Sequence, residues 1–533
     1  MVQSLQQTRD DAATEGLRDA LTYLLPALEQ FTSFAEPEQV ARQRAIWSAQ
    51  LVEPLPREGS GSQEVLTLLR DIVIPNGLRA GDPGFSGWIA TMPTTIPAVA
   101  HLASAISGPL SVAIQAYNLL EDLAQRWFRE LVGLSDEYQG LFTSGGTVAN
   151  LIGLGAARQF AFEQRGIDPA RSGVGALSKP RIYASNQVHH CIYRAAAVLG
   201  FGREAVIIIP SDESFRIDIA ILEQRLLRDL DDGCTPIAIV ANAGTINTGA
   251  IDPLSRLAEL CRKHNIWLHV DGAYGLLGRL DPAVAPLYGD LTLCDSLVVD
   301  PHKWLATSMG CGGVFVRNSR LMERAFTLQP AVYIEESQPI YTNDETVTSQ
   351  FDDMGYTFHN FGIEHSLPSR GVEVWALLKE IGIEGVKARI CRHNAYARQL
   401  AKRVQQSAHL ELMAPVTLSI CCFRYVPEAL RDQHDAATLE QLNQLNREIL
   451  RRMRERGRAM PSATLLNGAF VIRPCFINPR TTMSHVEAHA SEAEICGEEA
   501  WAAIREGLTA TTMLLADDAL RCGVAPDDGE DAI

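Results

Sequence analysis

The chain has 533 residues, 46% of them hydrophobic and 21% charged, with a formal net charge of −17. These values are typical of a globular protein with a large core and two or three domains. The acidic balance argues against nucleic acid or an anionic membrane as a partner, because both bind basic surfaces. The polar N-terminus lacks the apolar core of a signal or transit peptide, and no apolar run is long enough to span a membrane.

The eleven cysteines are scattered without the spacing of metal ligands, so we expect no metal site. Cys311 and the adjacent Cys421 and Cys422 lie within apolar runs, which predicts buried thiols. Free thiols persist in a reducing compartment, and we therefore expect a cytoplasmic enzyme.

Residues 1–95 are predicted to form a helical and extended N-terminal segment. Apolar residues recur at helical spacing from Asp11 to Gln50, and another helix is predicted from Ser62 to Ile74. The following stretch, Gly81–Pro97, is too rich in Gly and Pro for a helix and carries Trp88 and Thr91 on an extended path. The apolar groups of this stretch are either core or pocket lining, and their position alone does not decide between the two.

Residues 96–370 are predicted to form an α/β domain with a doubly wound, mainly parallel sheet. Helix and strand patterns alternate from the helix Tyr117–Val132 to the strand Gly313–Val316. Two apolar strands, Ile266–Val270 and Ser296–Val299, end at Asp271 and Asp300. Ligands of such sheets bind beyond the carboxyl ends of the strands, so we expect both aspartates at one binding site.

A glycine-rich turn, Ser144-Gly145-Gly146-Thr147, precedes a helix predicted to begin near Val148. Such a turn offers backbone N–H groups, a hydroxyl and a positive helix end to a phosphate. It could equally be a tight turn in which Ser144 or Thr147 caps the helix. A nucleoside triphosphate site is not expected, because the turn contains no lysine.

Lys303 follows Asp300 by three residues, so it lies at the strand end beside Asp271. A lysine can bind pyridoxal phosphate covalently, and a carboxylate can keep its pyridine nitrogen protonated so that the ring accepts electrons. Either residue alone is more often a cap or a solvated side chain. His189, at a strand-to-helix junction, either covers a bound ring or caps the helix. The combination indicates a pyridoxal phosphate site.

The C-terminal part, residues 371–533, is predicted to be a smaller α+β domain with an acidic tail. The polar stretch 329–350 before it lacks periodicity and is expected to be a mobile loop. The predicted elements of the small domain are the helices Val372–Ile381, Gly385–Gln405 and Ala436–Arg456, the strands Leu418–Tyr425 and Gly468–Phe476, and further helices to about Leu515.

Four motifs resemble those of the group II pyridoxal-phosphate-dependent amino-acid decarboxylases, which include aromatic-L-amino-acid, glutamate and diaminobutyrate decarboxylases. They are DPHKW at 300–304, HVDGAYG at 269–275, FTSGGTVAN at 142–150 and RPCFINPRTT at 473–482. The resemblance extends from about Leu51 to Thr482. It implies fold type I and a homodimer with active sites at the subunit interface, in which the N-terminal segment packs on the partner.

The resemblance also assigns roles around the cofactor. Lys303 would bind it covalently, Asp271 would pair with the pyridine nitrogen, and Ala273 and His189 would cover its two faces. The residues at the phosphate would be Gly146, Thr147, Asp300 and His302.

Two positions near the cofactor depart from the aromatic branch of the family. Asp300 replaces an asparagine common there, and a carboxylate beside a phosphate is unfavourable unless His302 is protonated or a donor intervenes. Thr245 lies close to a family threonine near the cofactor, although Ile246 is the strict match.

Tyr333 aligns with the mobile-loop tyrosine that protonates the substrate carbanion after carbon dioxide leaves. Aldehyde-forming relatives usually have phenylalanine there. We therefore expect decarboxylation of an L-amino acid to its amine. The alternative is an oxygen-dependent reaction that gives an aldehyde, ammonia and peroxide. A protein without catalysis is disfavoured, because Lys303 and Asp271 are both present.

The substrate is less well defined by the resemblance. Trp88 and Thr91 fall in the stretch that lines the substrate pocket of the family, but the aromatic branch has Tyr-Phe-Pro-Thr where this chain has Trp-Ile-Ala-Thr. An aromatic substrate is the leading hypothesis. Arg370 and Arg473 are candidate carboxylate partners. Either could instead form a surface or interdomain salt bridge, which is the favoured interpretation for Arg473.

Overall fold

The computed structural model describes residues 16–34, 44–107, 116–326 and 358–506. Its strands are β1 Phe85–Ser86, β2 Gln139–Thr143, β3 Pro180–Ser185, β4 Val206–Ile209, β5 Thr235–Asn242, β6 Trp267–Asp271, β7 Ser296–Val299, β8 Gly312–Val316, β9 Leu410–Leu412, β10 Phe423–Tyr425, β11 Met460–Leu466 and β12 Ala469–Arg473.

The α-helices are α1 Leu17–Ser33, α2 Arg44–Leu51, α3 Ser62–Leu68, α4 Thr95–Ser107, α5 Ala116–Leu131, α6 Gly146–Glu163, α7 Pro169–Ser172, α8 Cys191–Val198, α9 Ile219–Asp231, α10 Leu254–His264, α11 Pro301–Trp304, α12 Ser319–Phe326, α13 Gly371–Gln405, α14 Ala436–Arg456 and α15 Met483–Arg505. A π-helical turn, Leu69–Val73, continues α3, and short 3₁₀ turns lie at Arg203–Ala205, Leu276–Leu280, Ala285–Tyr288, Leu291–Leu293, Phe358–Phe361 and Glu428–Leu430.

The larger sheet has seven strands in the order β2-β8-β7-β6-β5-β3-β4. Strands β7, β6, β5, β3 and β4 pair in parallel, and β8 runs antiparallel to both β7 and β2. This arrangement confirms the predicted doubly wound, mainly parallel sheet. The apolar side chains of β6 and β7 are buried on both faces, which explains why these strands are apolar runs without alternation.

Helix α6 packs across the middle of this sheet, against β5, β6, β7 and β8. The close approach requires glycine at position 153, because a Cβ there would lie 2.5 Å from Cε1 of His269. The start of α6 is thereby held beside the ends of β6 and β7, where the two aspartates lie.

The smaller sheet has five strands in the order β1-β11-β12-β10-β9. Its β11, β12, β10 and β9 pair antiparallel, whereas β1 from the N-terminal segment pairs in parallel with β11. Helices α14 and α15 pack together beside it. The predicted strand Leu418–Tyr425 forms a ladder only over Phe423–Tyr425, with an isolated bridge between Ile420 and Cys475.

Helix α13 combines the two helices predicted between Val372 and Gln405. Gly382 has φ 63° and ψ 179° within it, so the helix is broken where the sequence predicts a boundary. The described cysteines are all free, and Cys311, Cys421 and Cys422 are buried as predicted. No helix in the described part of the chain is long and apolar enough to cross a membrane.

Candidate active site

A cavity of about 480 Å³ opens beyond the carboxyl ends of β6 and β7. Its wall is formed by the ends of these strands, the start of α6 and the junction between β3 and α8. The structure brings most of the predicted site residues together in this wall: Gly146, Thr147, His189, Asp271, Ala273, Asp300, His302 and Lys303.

Lys303 lies between two carboxylates. Its Nζ is 3.1 Å from Oδ2 of Asp300, and Asp271 is the last residue of the neighbouring strand β6. Burial alone would lower the pKa of Lys303, but the charges of Asp300 and Asp271 outweigh that effect and raise the pKa above its ordinary value. The amine is therefore held as an ammonium until it reacts.

Asp271 is fixed by donors on both carboxylate oxygens. The backbone N–H of Ala273 donates to Oδ1 at 3.1 Å, and the side-chain amide of Asn150 donates to Oδ2 at 3.4 Å. Asn150 in turn accepts from Nε2 of His269 at 2.8 Å. Burial lowers the pKa of His269 to about 4, so this imidazole is neutral.

Further hydrogen bonds fix the tautomer of His269. The indole N–H of Trp267 donates to Oγ of Ser296 at 2.7 Å, and the Ser296 hydroxyl donates to Nδ1 of His269 at 2.7 Å. The Nε2 proton therefore faces Asn150. In each hydrogen bond from Trp267 to Asp271, the group farther from Asp271 is the donor. This arrangement orients the carboxylate so that it can accept a hydrogen bond from a protonated ring nitrogen.

The start of α6 forms a cradle of the kind that binds phosphate. Its N-cap is Gly145, with φ 140° and no side chain capping the helix, so neither Ser144 nor Thr147 is the cap. The N–H groups of a first helical turn lack intrahelical partners, and the Thr147 hydroxyl lies beside them in the wall. Gly146 is required here, because a Cβ would lie 2.6 Å from Oδ2 of Asp300.

The functional groups in the cavity wall therefore fit pyridoxal phosphate. An amine and a carboxylate lie at neighbouring strand ends, and a glycine cradle at a helix N-terminus lies beside them. Ala273 and His189 both line the space between. The N–H of Cys191 donates to Nδ1 of His189 at 3.3 Å, and burial lowers the pKa of His189, so a neutral ring is available for stacking.

Thr245, which was predicted to contact the cofactor, is not among the described residues that line the cavity. Its hydroxyl contacts that of Thr248 at 2.9 Å and accepts from the N–H of Ala250 at 3.1 Å, so it closes its own buried turn. The next residue, Ile246, lies in the cavity wall instead.

Three predicted substrate contacts lie outside the wall formed by the described residues. Trp88 is 58% exposed and packs its ring edge against Phe85, whereas the next residue, Ile89, lines the cavity. Thr91 is buried elsewhere. Arg370 pairs with Glu364 at 3.2 Å. The substrate roles of Trp88, Thr91 and Arg370 are therefore not supported within one chain.

Arg473 forms no interdomain salt bridge with the residues that the structure describes. Its guanidinium donates to the backbone oxygens of Trp88, Ile246 and Asn247 and to the hydroxyl of Ser462. It therefore joins the N-terminal segment, the large domain and the small domain through neutral acceptors. Tyr333 falls outside the described residues.

Several wall residues were not predicted: Ile89, Asn150, Cys191, Asn242, Tyr274 and Met309. Asn150 had a usable signal, because it lies one helical turn after Gly146 and donates to the Gly146 carbonyl at 2.8 Å. Tyr274 follows Ala273 and stacks on Trp304 with a centroid distance of 5.1 Å. Its hydroxyl contacts that of Ser419 at 2.5 Å, which links the wall to the small domain.

Comparison with known proteins agrees with this geometry. Residues 53–426 match the model of the pyridoxal-dependent decarboxylase conserved domain. An aromatic-L-amino-acid decarboxylase of Bacillus atrophaeus is 32% identical over 455 residues, covering 84% of this chain and 89% of the relative. A phenylacetaldehyde synthase of Arabidopsis thaliana is 24% identical over 467 residues, covering 86% of this chain and 88% of the relative.

Among solved structures, Oryza sativa TDC with PLP and tryptamine has a similar fold. The TM-score is 0.79 at 22% sequence identity, covering 94% of this chain and 99% of the other. The matched domain contains the whole cavity wall described above. The chain therefore belongs to the pyridoxal-dependent decarboxylase family and is a fold type I amino-acid decarboxylase with pyridoxal 5′-phosphate as its cofactor.

Proposed function

We propose that this enzyme decarboxylates an aromatic L-amino acid to the corresponding amine and carbon dioxide. The observation that carries the proposal is that Lys303 and Asp271 line one cavity together with apolar side chains. The proposed catalytic residues are Lys303, Asp271, His189 and Tyr333, as the family resemblance implies.

The charges in the wall favour a neutral substrate side chain. Ile89, Ile246 and Met309 supply apolar surface, and Lys303 is the sole lysine or arginine among the wall residues that the structure describes. A second carboxylate or a sulfinate on the substrate would therefore find no free cation there. The name of the Bacillus atrophaeus relative supports an aromatic substrate.

We assign a part in the reaction to several of the wall residues. Lys303 would hold the cofactor through Nζ, and Asp271 would keep a proton on its ring nitrogen. Bound pyridoxal phosphate supplies a conjugated system that accepts the electron pair left when carbon dioxide departs. Gly146 and Thr147 would hold the phosphate, and Ala273 and His189 would lie against the ring, as the family resemblance implies. Ile89 and Met309 add apolar side chains to the same wall.

The last step requires a proton at the substrate α-carbon, and we assign it to the Tyr333 phenol. The aldehyde-forming alternative has support from the phenylacetaldehyde synthase among the relatives. Tyrosine at position 333 favours the amine, because a proton donor at the α-carbon competes with the attack of dioxygen there.

We further propose a cytoplasmic homodimer. Apolar side chains are exposed along one face of α1, at Leu17, Leu21, Leu25 and Leu28, and along α4, at Ile96, Val99, Leu102 and Ile106. Surfaces of this kind are usually covered by another protein chain, and a second copy is the partner that the resemblance implies.

The test is to incubate the purified holoenzyme with a panel of aromatic, acidic and basic L-amino acids. Carbon dioxide, amine, aldehyde and peroxide are measured together. We expect amine and carbon dioxide in equal amounts from an aromatic substrate, without peroxide. Peroxide formed in step with carbon dioxide would establish the oxidative alternative, and turnover of acidic substrates alone would refute the aromatic assignment.

A further inference from the structure

The two carboxylate oxygens of the buried Asp300 have different surroundings. Oδ2 lies 3.1 Å from Nζ of Lys303 and 3.8 Å from Nε2 of His302. Oδ1 is buried and has no hydrogen-bond partner among the described residues. The side chain, 2% exposed, thus has one strong partner, the amine of Lys303.

The surroundings of Asp300 argue against a direct role in phosphate binding. A carboxylate and a phosphate are both acceptors with negative charge, so a proton donor must lie between them. His302 is the nearby candidate, but its Nδ1 donates to the carbonyl of Cys311 at 2.6 Å, which leaves Nε2 without a proton in the neutral ring. Burial lowers the pKa of His302 and favours that neutral form.

The charges around Lys303 make Asp300 its principal counter-ion. The titratable groups facing Lys303 are Asp300 and His302 from the β7–α11 region, Asp271 from β6, and His189 and Cys191 at the start of α8. The two histidines have lowered pKa values and the Cys191 thiol a raised one because of burial, so all three are neutral. Asp271 is already held by Ala273 and Asn150.

We propose that Asp300 is a positioning residue that receives Lys303 as an ammonium each time the substrate displaces this lysine from the cofactor. The proposal rests on the function proposed above, because it requires an amino-acid substrate to take the place of the lysine.

The exchange balances in atoms and charge. The C=N bond between Lys303 and the cofactor breaks, and a C=N bond between the substrate nitrogen and the cofactor forms. The substrate nitrogen enters with three protons and keeps one in the new C=N bond. The two protons that it loses join the one already carried by the Lys303 nitrogen in its C=N bond, so Lys303 leaves as an ammonium with three. The ammonium group has thus passed from the substrate nitrogen to Nζ, where Oδ2 of Asp300 lies 3.1 Å away.

This role predicts a specific defect in Asp300→Asn. The amide keeps the size of the carboxylate but cannot stabilise an ammonium, so Lys303 should lose its proton at lower pH. In the cofactor-free enzyme, the rate of recombination with pyridoxal phosphate depends on the unprotonated amine. We expect the midpoint of its pH dependence to move down by about one to three pH units. Binding of pyridoxal phosphate should also tighten near neutral pH.

The same variant should be slower in the exchange reaction. Without the carboxylate the released ammonium has lost its counter-ion, and kcat/KM should fall about tenfold or more.

A merely structural role for Asp300 would lower stability without moving the recombination profile. Asp218→Asn is the control, because Asp218 is the N-cap of α9 and lies outside the cavity wall. Asparagine caps helices as well as aspartate does, so this variant should retain the parent profile.

A second measurement applies if Asp300→Asn binds the cofactor poorly. Competitive labelling of the cofactor-free protein with acetic anhydride across pH, followed by peptide mass spectrometry, reports the titration of Lys303 directly. A downward shift supports the proposal. An unchanged Lys303 titration in Asp300→Asn would overturn it, even if the parent enzyme forms amine from aromatic amino acids. Failure of the parent to form amine would instead refute the proposed function and leave the titration result standing.

Discussion

At the residue scale, the orientation of Asp271 depends on side chains far from it in the sequence. The hydrogen bonds run from Trp267 through Ser296, His269 and Asn150 to one carboxylate oxygen. Asn150 is the central member, because its amide donates to a carboxylate and its carbonyl accepts from an imidazole. Both ends fix its orientation, and its loss would leave two buried groups unpaired.

Asn150→Ala should therefore weaken cofactor binding. An unpaired buried donor costs about 1–3 kcal/mol, which corresponds to a dissociation constant for pyridoxal phosphate raised about tenfold or more. The constant is measured by titrating the cofactor-free protein. Asn443→Ala is the control, since this buried side chain donates to Gly468 and accepts from Phe470 in the small domain. The control should lose stability but bind the cofactor normally. If Asn150→Ala and Asn443→Ala bound pyridoxal phosphate with equal affinity, Asn150 would have no specific role in orienting Asp271.

The sequence predicted that Lys303 and Asp271 lie at one site, but not all of the surroundings of this pair. Lys303 and Asp271 were predictable because each follows an apolar strand, and the order of parallel strands brings their ends together. Thr245 lies outside the cavity wall because a one-residue difference at a buried turn decides which side chain faces the cavity. Within one chain Trp88 and Arg370 also lie outside the wall, because they contact Phe85 and Glu364, and periodicity does not reveal such local packing.

At the element scale, apolar runs and caps predicted most of the large domain and the bounds of α14, Ala436–Arg456, without error. Its N-cap, Asp435, accepts from the N–H of Thr438 at 2.9 Å, and Gly457 ends it in the left-handed region. Strands β9 and β11 were missed. The first has three residues, and the second begins Met-Pro and pairs with β1 some 370 positions away in the chain, so local pattern carries little signal for either.

The break in α13 provides a test at this scale. Gly382 has φ 63°, and a Cβ there would meet nothing within 4 Å, so replacement strains the backbone without a clash. Gly382→Ala should lower the free energy of unfolding by about 1–2 kcal/mol. Denaturant titration measures the change. Gly175→Ala is the control, because its Cβ also meets open space and its φ is ordinary. If Gly382→Ala were as stable as the parent, the left-handed backbone at the break would contribute nothing that requires glycine.

At the scale of the whole molecule, the exposed apolar side chains of α1 and α4 contrast with the ion-paired surface elsewhere. On α14, Arg451 and Arg452 both pair with Glu448, and Arg456 pairs with Glu492 of α15. The faces of α1 and α4 instead present leucine, isoleucine and valine. This difference is the physical argument for placing the proposed subunit interface on the N-terminal helices.

Val99→Lys should weaken the proposed dimer. A lysine buried without a counter-ion costs at least about 3 kcal/mol, which raises the dimer dissociation constant about 100-fold or more. Sedimentation equilibrium compares the variant with the parent, whose chain mass is 58.4 kDa. Val198→Lys on α8 is the matched control, because Val198 is also exposed on a helix and lies outside the N-terminal faces. A parent protein that sediments as a single chain while holding its cofactor would refute the interface.

The covalent link to Lys303 is tested most directly by reduction of the holoenzyme with borohydride, followed by digestion and peptide mass spectrometry. The account predicts that the cofactor is found on the peptide carrying Lys303 and on no other, and that Lys303→Ala shows no such peptide and loses decarboxylation. Cofactor fixed at a different lysine, or retained covalently by Lys303→Ala, would contradict the account.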